Sequence, residues 1–179
     1  MTIRAESING KVKSKVQNIE TYYVPFDELP IKKISTSSWL CTKVNSNAGG
    51  VYDIKKVWDG NPNTFWSSSW KPFYPLPYVI EIDMQKKYDI RKVVLQQRPK
   101  MKDLTKLTID LSEDGENWVN LGEFTKGNIF NQELGGKDEL VYKKGFFFGQ
   151  FLRITIPESG RGGGKTSVCI AEIEVHALQ

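Results

Sequence analysis

The chain has 179 residues, of which 39% are hydrophobic and 26% are charged, and its net charge is +4. This length suits one domain with a short appended segment, and the composition is ordinary for a soluble globular protein. The charge is too small to indicate nucleic-acid binding by itself. No apolar run is long enough to span a bilayer, and the first residues lack the pattern of a secretory signal. A cytoplasmic protein and a mature or excised piece of an exported one remain as alternatives.

Residues 1–30 differ from the rest of the chain. Residues 11–16 alternate like an exposed strand, and residues 22–26 form an apolar patch that a proline interrupts. Too few residues are present here to build a second core. We interpret residues 1–30 as a leader, a linker or the tail of a preceding domain, and we place the binding domain at residues 31–179.

From residue 31 onward the signals are those of β-structure. Turn signals such as Asp114-Gly115 separate short runs that are rich in β-branched and aromatic residues. These runs lie at 78–83, 90–97, 104–111, 118–124, 146–156 and 168–177. The only helix-like piece is residues 51–57, of about two turns. The pattern predicts an all-β protein, built as an antiparallel sandwich.

The segment 56–66 reads Lys-Val-Trp-Asp-Gly-Asn-Pro-Asn-Thr-Phe-Trp. Its central turn needs glycine for a positive φ, while Asp59 and Asn61 can cap their own backbone. Such a loop can point carboxylate, carbonyl and hydroxyl oxygens inward, which suits a hard cation such as Ca²⁺. Glu172, at the start of an alternating strand, offers a second carboxylate. The two segments together predict a binding module with a structural ion.

A basic stretch follows the first predicted strand, opposed only by Asp89 and Asp103. A solvated strand face is the simpler interpretation, and an anionic ligand is the alternative. The basic residues are Lys86, Lys87, Arg91, Lys92, Arg98, Lys100, Lys102 and Lys106.

Catalysis is not indicated. His176 is the only histidine, and no nucleophile–base pair can be assembled around it. Glu172 and Glu174 share one strand face, whereas paired acid–base work needs a cleft between the carboxylates. The sequence therefore predicts no catalytic residues and no enzyme.

The order of several segments resembles the coagulation factor 5/8 type C (discoidin) domain and, within it, the carbohydrate-binding modules of family 32. The segments that carry the resemblance are 34–39, 57–66, 77–84, 95–98, 111–118, 151–154 and 170–175. The resemblance implies a jelly-roll β-sandwich of the galactose-binding-domain type. It also implies that the first and last strands lie side by side, so that Cys41 and Cys169 either form a disulfide or remain free.

The resemblance implies one structural Ca²⁺. Its side-chain ligands would be Asp59, Thr64 and Glu172, and its backbone carbonyl ligands would come from Lys56, Asn61, Thr64 and Ala171. The ion would tie the first long loop to the last strand. The alternative is that Asp59 merely caps the turn and that Glu172 is exposed on its strand.

The resemblance also implies a sugar site on loops at one end of the sandwich. An aromatic ring faces the apolar side of a sugar, and charged or hydroxyl groups bind its hydroxyls. Trp70 suits the first role, whereas the other tryptophans are better read as core residues, and Arg98 could instead pair with a surface carboxylate. The implied ligand-binding residues are Ser67, Trp70, Tyr74, Arg98, Asp103 and Lys165.

We therefore expect a non-catalytic carbohydrate-binding module for galactose-type or acidic glycans, with no nucleic-acid partner. Ser67, where galactose binders often have histidine, and the lack of an aromatic in residues 160–166 leave the sugar open. The alternative is an adhesion module that binds a membrane or protein surface through Phe73, Tyr74 and Leu76 near Lys71. By the resemblance, the domain would lie outside the cell or at its surface, in a larger multidomain protein.

Overall fold

The structure, a computed structural model, describes residues 5–8, 11–14, 25, 28–98, 104–125, 136–143, 146–160 and 167–178. Within these ranges the regular secondary structure is almost entirely β-strand, apart from a four-residue 3₁₀ helix at Ile54–Val57. The strands are β1 (Ala5–Ile8), β2 (Lys11–Ser14), β3 (Ile31–Lys33), β4 (Leu40–Val44), β5 (Trp66–Ser67), β6 (Tyr78–Gln97), β7 (Leu104–Ser112), β8 (Trp118–Thr125), β9 (Lys137–Val141), β10 (Phe148–Ser159) and β11 (Cys169–Leu178).

Strand β6 belongs to both layers of the sandwich. Its first part, residues 78–83, pairs with β4 and β10, and β10 continues the layer through β7 to β8. Its second part, residues 90–97, pairs with β9 and β11, and β11 also pairs with β3 and β5. All of these pairings are antiparallel, which confirms the predicted fold class.

The strand changes layer at a kink. Gln85 has a φ of 65°, in the left-handed region that non-glycine residues rarely adopt. The Asp83 carboxylate accepts a hydrogen bond from the Gln85 N–H at 2.7 Å, which holds the turn. Residues 85–87 are all exposed there, so the alternation of buried and exposed positions restarts on the other side of the kink.

The core lies between the two layers. Along the first part of β6, Tyr78, Ile80, Ile82 and Met84 are all fully buried, as the two-residue period of a strand requires. Trp39, Trp58 and Trp66 are also buried, whereas Trp118 is half-buried and Trp70 is exposed. The core interpretation of the tryptophans is therefore confirmed for three of the four and is only partly right for Trp118.

All six predicted runs contain strands, but two of them, 78–83 and 90–97, are parts of the single strand β6. Strands β1, β3, β4, β5 and β9 were not predicted, because each has at most five residues and shows little alternation. The predicted helix at 51–57 is shorter in the structure, since Asp53 caps its start by accepting from the Lys55 N–H at 3.1 Å.

The N-terminal segment contains a two-stranded sheet, in which β1 pairs with β2. A strand is therefore confirmed within residues 11–16, while most of the apolar patch at 22–26 lies outside the described residues. The division at residue 30 stays a prediction. Among the described residues, no helix is long and apolar enough to cross a bilayer.

The basic stretch lies largely on a solvated face, as the simpler interpretation has it. Lysines at 87, 92 and 106 form exposed ion pairs with neighbouring glutamates. Arg91 differs, because it is buried against Asp89 at 2.6 Å. Lys100 and Lys102 lie outside the described residues.

Neither cysteine forms a disulfide. Cys41 lies opposite Ile82, whereas Cys169 lies opposite Ser67, next to the pairing of Ile170 with Gln97. They therefore sit beside opposite ends of β6. The disulfide considered from the resemblance is wrong for this reason.

Candidate functional site

The turn at residues 59–64 is organised around the Asp59 carboxylate. The Asn61 N–H donates to Asp59 Oδ1 at 2.9 Å, and the Thr64 hydroxyl donates to Oδ2 at 2.8 Å. The Lys56 ammonium lies 3.3 Å from Oδ2. Gly60 has a φ of +78°, which explains why glycine follows the aspartate. The predicted capping role of Asp59 is therefore present.

A second carboxylate joins this turn to the last strand. The Gly60 N–H donates to Glu172 Oε1 at 3.2 Å, across 112 residues of sequence. Glu172 is only 3% exposed, and its Oε2 has no hydrogen-bond partner among the described residues. The alternative that Glu172 is exposed on its strand is therefore wrong. Burial raises the pKa of the Glu172 carboxyl to about 7, with Asp59 adding to the shift.

The residues present fit a hard cation. A buried carboxylate oxygen without a partner is costly, and a cation beside it would remove that cost. Asp59, Asn61, Thr64 and Glu172 supply oxygens at one place. The described residues hold no group of three or more His, Cys, Asp or Glu side chains suited to a metal. Besides the two carboxylates, the ligand shell would therefore depend on a hydroxyl and on backbone carbonyls, which Ca²⁺ accepts. Ala171, whose carbonyl is one of the expected ligands, is fully buried beside Glu172.

A separate cavity of about 160 Å³ lies at the same end of β11. Three of the predicted ligand-binding residues line it, namely Ser67, Trp70 and Arg98. The other lining residues are Tyr52, Phe65, Ser167 and Cys169. The cavity is smaller than the pockets of roughly 300–1,000 Å³ that enclose drug-sized ligands. It therefore suits a small group such as a single ring.

One wall of the cavity is a cluster of three aromatic rings. Tyr52 packs at 5.0 Å from Phe65 and meets Trp70 edge-on at 5.5 Å, between ring centroids. Trp70 is nevertheless 47% exposed. Tyr52 therefore fixes the orientation of the Trp70 ring while leaving much of the ring open to a ligand.

Arg98 forms the opposing polar group. Its guanidinium carbon lies 3.7 Å from the centroid of the Phe65 ring, and Nη1 donates weakly to the Cys169 sulfur at 3.7 Å. Among the described residues no carboxylate lies within ion-pair distance of Arg98, so the predicted alternative of a surface ion pair is not found there. The guanidinium lies against the Phe65 ring, and its one hydrogen bond to the described residues is that to Cys169, so further donors can serve a ligand.

The other predicted ligand-binding residues do not all meet here. Ser67 is buried, and its hydroxyl donates to the Ser68 carbonyl at 3.0 Å, so that it is left as an acceptor. Tyr74 is exposed but does not line the cavity. A bridge between Trp70 and Phe73 precedes it, and its role in ligand binding stays a prediction. Asp103 and Lys165 lie outside the described residues.

Four lining residues were missed from the sequence. Phe65 could have been found from strand alternation. Residues 65 and 67 lie on one face of an extended segment and the buried Trp66 on the other, so a site at Ser67 implies that Phe65 is near it. Cys169 enters the cavity through the pairing of β11 with β5, where it lies opposite Ser67. No local pattern reveals that pairing. Tyr52 and Ser167 likewise line the cavity only because the tertiary structure brings them there.

Solved structures share this fold. The C-terminal domain of a chitobiase from Bacteroides fragilis is 27% identical, with 83% of this chain and 99% of that chain covered at a TM-score of 0.67. The family 32 carbohydrate-binding module of NanJ from Clostridium perfringens, in complex with galactose, is 20% identical. The alignment covers 82% of this chain and 98% of that chain, with a TM-score of 0.67. A further Clostridium perfringens family 32 module, in complex with GalNAc-β-1,3-galactose, is 21% identical. The alignment covers 80% of this chain and 99% of that chain, with a TM-score of 0.66.

Sequence comparison gives the same assignment. No curated protein matches the chain significantly. The family model described as F5/8 type C domain matches residues 34–173, which is most of the chain and includes both the Asp59 turn and the aromatic cavity. The expected resemblance is therefore confirmed, and the chain belongs to the F5/8 type C domain family.

Proposed function

We propose that this domain is a non-catalytic carbohydrate-binding module whose ligand site is the cavity between Trp70 and Arg98. The observation that carries the proposal is the pairing of a half-exposed indole with a stacked guanidinium across one small cavity. A sugar ring has an apolar face for the indole and hydroxyls for the guanidinium. The family 32 modules that share the fold, solved with galactose and GalNAc-β-1,3-galactose, support the same function.

The ligand class is a terminal galactose-type or acidic sugar. The small volume favours a single ring, and the positive charge of Arg98 favours a hydroxyl-rich or carboxylated one. Ser67 and Ser167 add short polar groups on the lining. A carboxylated sugar would form charge-assisted hydrogen bonds with Arg98, whereas a neutral sugar would use its hydroxyls.

A structural Ca²⁺ belongs to the proposal. Asp59, Thr64 and Glu172 would hold it with side-chain oxygens, and Lys56, Asn61, Thr64 and Ala171 with backbone carbonyls. The buried, unpartnered Oε2 of Glu172 supports this set. The ion would add charge stabilisation to the existing bond between Gly60 and Glu172, and would fix the turn that leads directly into Phe65 and Ser67.

The proposed function also implies where the domain works and what it is attached to. Modules of this kind serve a neighbouring domain by holding it at a glycan, so we place the protein outside the cell or at its surface, in a multidomain chain. Single-site affinity would be low, and neighbouring modules would raise it through avidity.

An adhesion function is the second candidate. Phe73 and Tyr74 are exposed beside Lys71, outside the cavity. Exposed aromatic residues next to a cation suit insertion at a membrane or protein surface.

A glycan array, read with and without EDTA, tests the proposal. We expect binding to galactose-type or acidic glycans that the variant Arg98→Ala abolishes and that EDTA weakens. The matched control Lys43→Ala removes an exposed cation elsewhere and should leave binding unchanged. A blank array from folded protein would contradict the proposal and favour adhesion, for which liposomes would then be the probe.

A further inference from the structure

A second cleft, of about 510 Å³, lies where β6 changes layer. It is larger than the Trp70–Arg98 cavity, and its lining combines cations, aromatic rings and a carboxylate. The residues that matter here are Lys33, Lys86, Lys87, Tyr88, Asp89 and Phe148.

The cleft is far from the first cavity. Strand β11 has Cys169 at one end, lining the first cavity, and Leu178 at the other, lining the second. Nine residues of extended strand separate them, which is about 30 Å at the usual rise of a strand. One sugar ring cannot occupy both, so the cleft is an independent site.

The cleft contains a buried carboxylate, that of Asp89. The residue is only 7% exposed, and Arg91 donates to its Oδ2 at 2.6 Å. Its Oδ1 is buried and has no hydrogen-bond partner among the described residues. Buried polar atoms are nearly always partnered, and Asp89 lines the cleft, so this oxygen would gain a partner from a hydroxyl donor that reaches it.

Three lysines line the same cleft as Asp89. Lys87 pairs with Glu113 at 2.8 Å in a solvent-exposed ion pair that a ligand can displace at little cost. Lys33 lies 3.5 Å from the half-buried Glu174, which also pairs with Lys137. Lys86 forms no ion pair with any described residue and lies 5.6 Å from the Tyr88 ring centroid. The cleft therefore carries a net positive charge at its rim.

The aromatic side of the cleft is exposed as well. Phe148 is 51% exposed and lines the cleft. Phe146 stacks on it, with centroids 6.3 Å apart and planes 10° from parallel, and the Arg91 guanidinium lies 5.5 Å from the Phe146 ring. Phe146 therefore supports the Phe148 ring, which offers an exposed apolar surface on the lining that the lysines share.

We propose that this cleft is a second ligand site and that it takes an acidic saccharide, with a sugar ring on Phe148, its carboxylate or sulfate at the lysines and a hydroxyl at Asp89. Only a ligand with an anionic group, a flat apolar face and hydroxyl donors meets all three features. A phosphodiester is itself only an acceptor, whereas one ring of an acidic saccharide carries the anionic group, the apolar face and the hydroxyl donors together, which favours the saccharide over a membrane.

Titration of ¹⁵N-labelled domain with three tetrasaccharides tests this. Hyaluronan carries carboxylates, chondroitin sulfate carries carboxylates and sulfates, and chitotetraose is the neutral control. We expect either or both acidic probes to shift the amide signals of Lys86, Tyr88, Asp89 and Phe148, and chitotetraose to leave them in place. Shifts with hyaluronan would show that a carboxylate suffices, and shifts with chondroitin sulfate alone would show that a sulfate is needed.

The double variant Lys86→Ala with Phe148→Ala should bind the acidic probe at least tenfold more weakly. A matched double variant, Lys43→Ala with Val119→Ala, has the same net charge and also loses one exposed apolar side chain, and it should bind within twofold of the wild type. Circular dichroism and thermal melting would verify that both variants fold. Equal losses in the two variants, or no shift with either acidic probe, would overturn the proposal.

This site is separable from the proposed function. Trp70→Ala should leave binding at the second cleft intact, and the Lys86/Phe148 double variant should leave galactose-type binding intact. If Trp70→Ala abolishes binding of the acidic probe, the acidic sugar occupies the first cavity and the second site is refuted, while the proposed function stands.

Discussion

The Arg98 guanidinium stacks on the Phe65 ring at 3.7 Å, and this contact joins the end of β6 to the turn that carries Asp59. Phe65 comes directly after Thr64, which donates to the Asp59 carboxylate. The arginine is therefore positioned by the same turn that would hold a cation. This explains how an ion outside the cavity would affect ligand binding inside it.

Trp70 and Trp66 should respond to truncation in opposite ways. Trp70 is half-exposed at the cavity, so Trp70→Ala should abolish sugar binding and change the free energy of unfolding by less than about 1.5 kcal/mol. Trp66 is fully buried, so Trp66→Ala should cost about 3–5 kcal/mol. Urea unfolding and calorimetric titration measure the two effects, and Phe73→Ala is the exposed aromatic control. Unfolding of the Trp70 variant would show that its ring supports the core.

Arg98→Lys should not rescue binding. The lysine keeps the charge but lacks the planar group that stacks on Phe65 and offers several fixed donors. We expect at least a tenfold loss in affinity, close to that of Arg98→Ala, with a melting temperature near that of the wild type. Wild-type affinity in the lysine variant would mean that charge alone is recognised.

Calcium should stabilise the domain through Asp59. An ion at about 100 times its dissociation constant adds about 2.7 kcal/mol, which is about 5–10 °C in melting temperature for a chain of this size. Asp59→Asn should lower the melting temperature in calcium and remove the response to EDTA. Glu113→Gln, an exposed carboxylate at a hairpin, is the control. A melting temperature of the wild type that EDTA does not change would contradict the cation site.

Without calcium, stability should depend on pH through Glu172. The pKa of its carboxyl is raised from 4.5 to about 7 in the folded protein, chiefly by burial. The folded state therefore holds this proton more tightly than the unfolded chain does. This contribution to stability is greatest below pH 4.5, falls as the pH rises to about 7, and is level above that.

Urea unfolding in EDTA across this pH range measures the effect. In the variant Glu172→Gln, the free energy of unfolding should fall less between pH 4.5 and 7, because the amide does not titrate. Calcium should reduce the same fall in the wild type, because the ion favours the charged carboxylate. An equal fall in the glutamine variant would assign the pH dependence to another group.

Much of the fold could be predicted from local signals. The alternation at 78–84 indicates a strand that is half buried, and the structure buries those positions in turn. The continuity of β6 could not be predicted, because the exposed run at Gln85, Lys86 and Lys87 looks like the end of a strand. Only the pairing partners on either side show that one strand serves two layers.

The candidate site was predictable where local chemistry or the family resemblance marked it. The resemblance and local chemistry assign Trp70 and Arg98 to one ligand site, and in the structure both residues line the same cavity. Tyr74 has the same composition signal and lies elsewhere. Cys169 carries no signal at all, since its place beside Ser67 depends on the pairing of β5 with β11, about 100 residues apart in the chain.

The most direct test of the account is a ¹H–¹⁵N titration of the calcium-loaded domain with galactose, N-acetylgalactosamine and galacturonate. The account predicts saturable shifts, with at least one of these sugars, in the Trp70 indole and in the amides of Tyr52, Ser67 and Ser167, and none in Arg98→Ala. Unchanged spectra at millimolar concentrations of all three sugars, or shifts only in residues remote from the cavity, would contradict it.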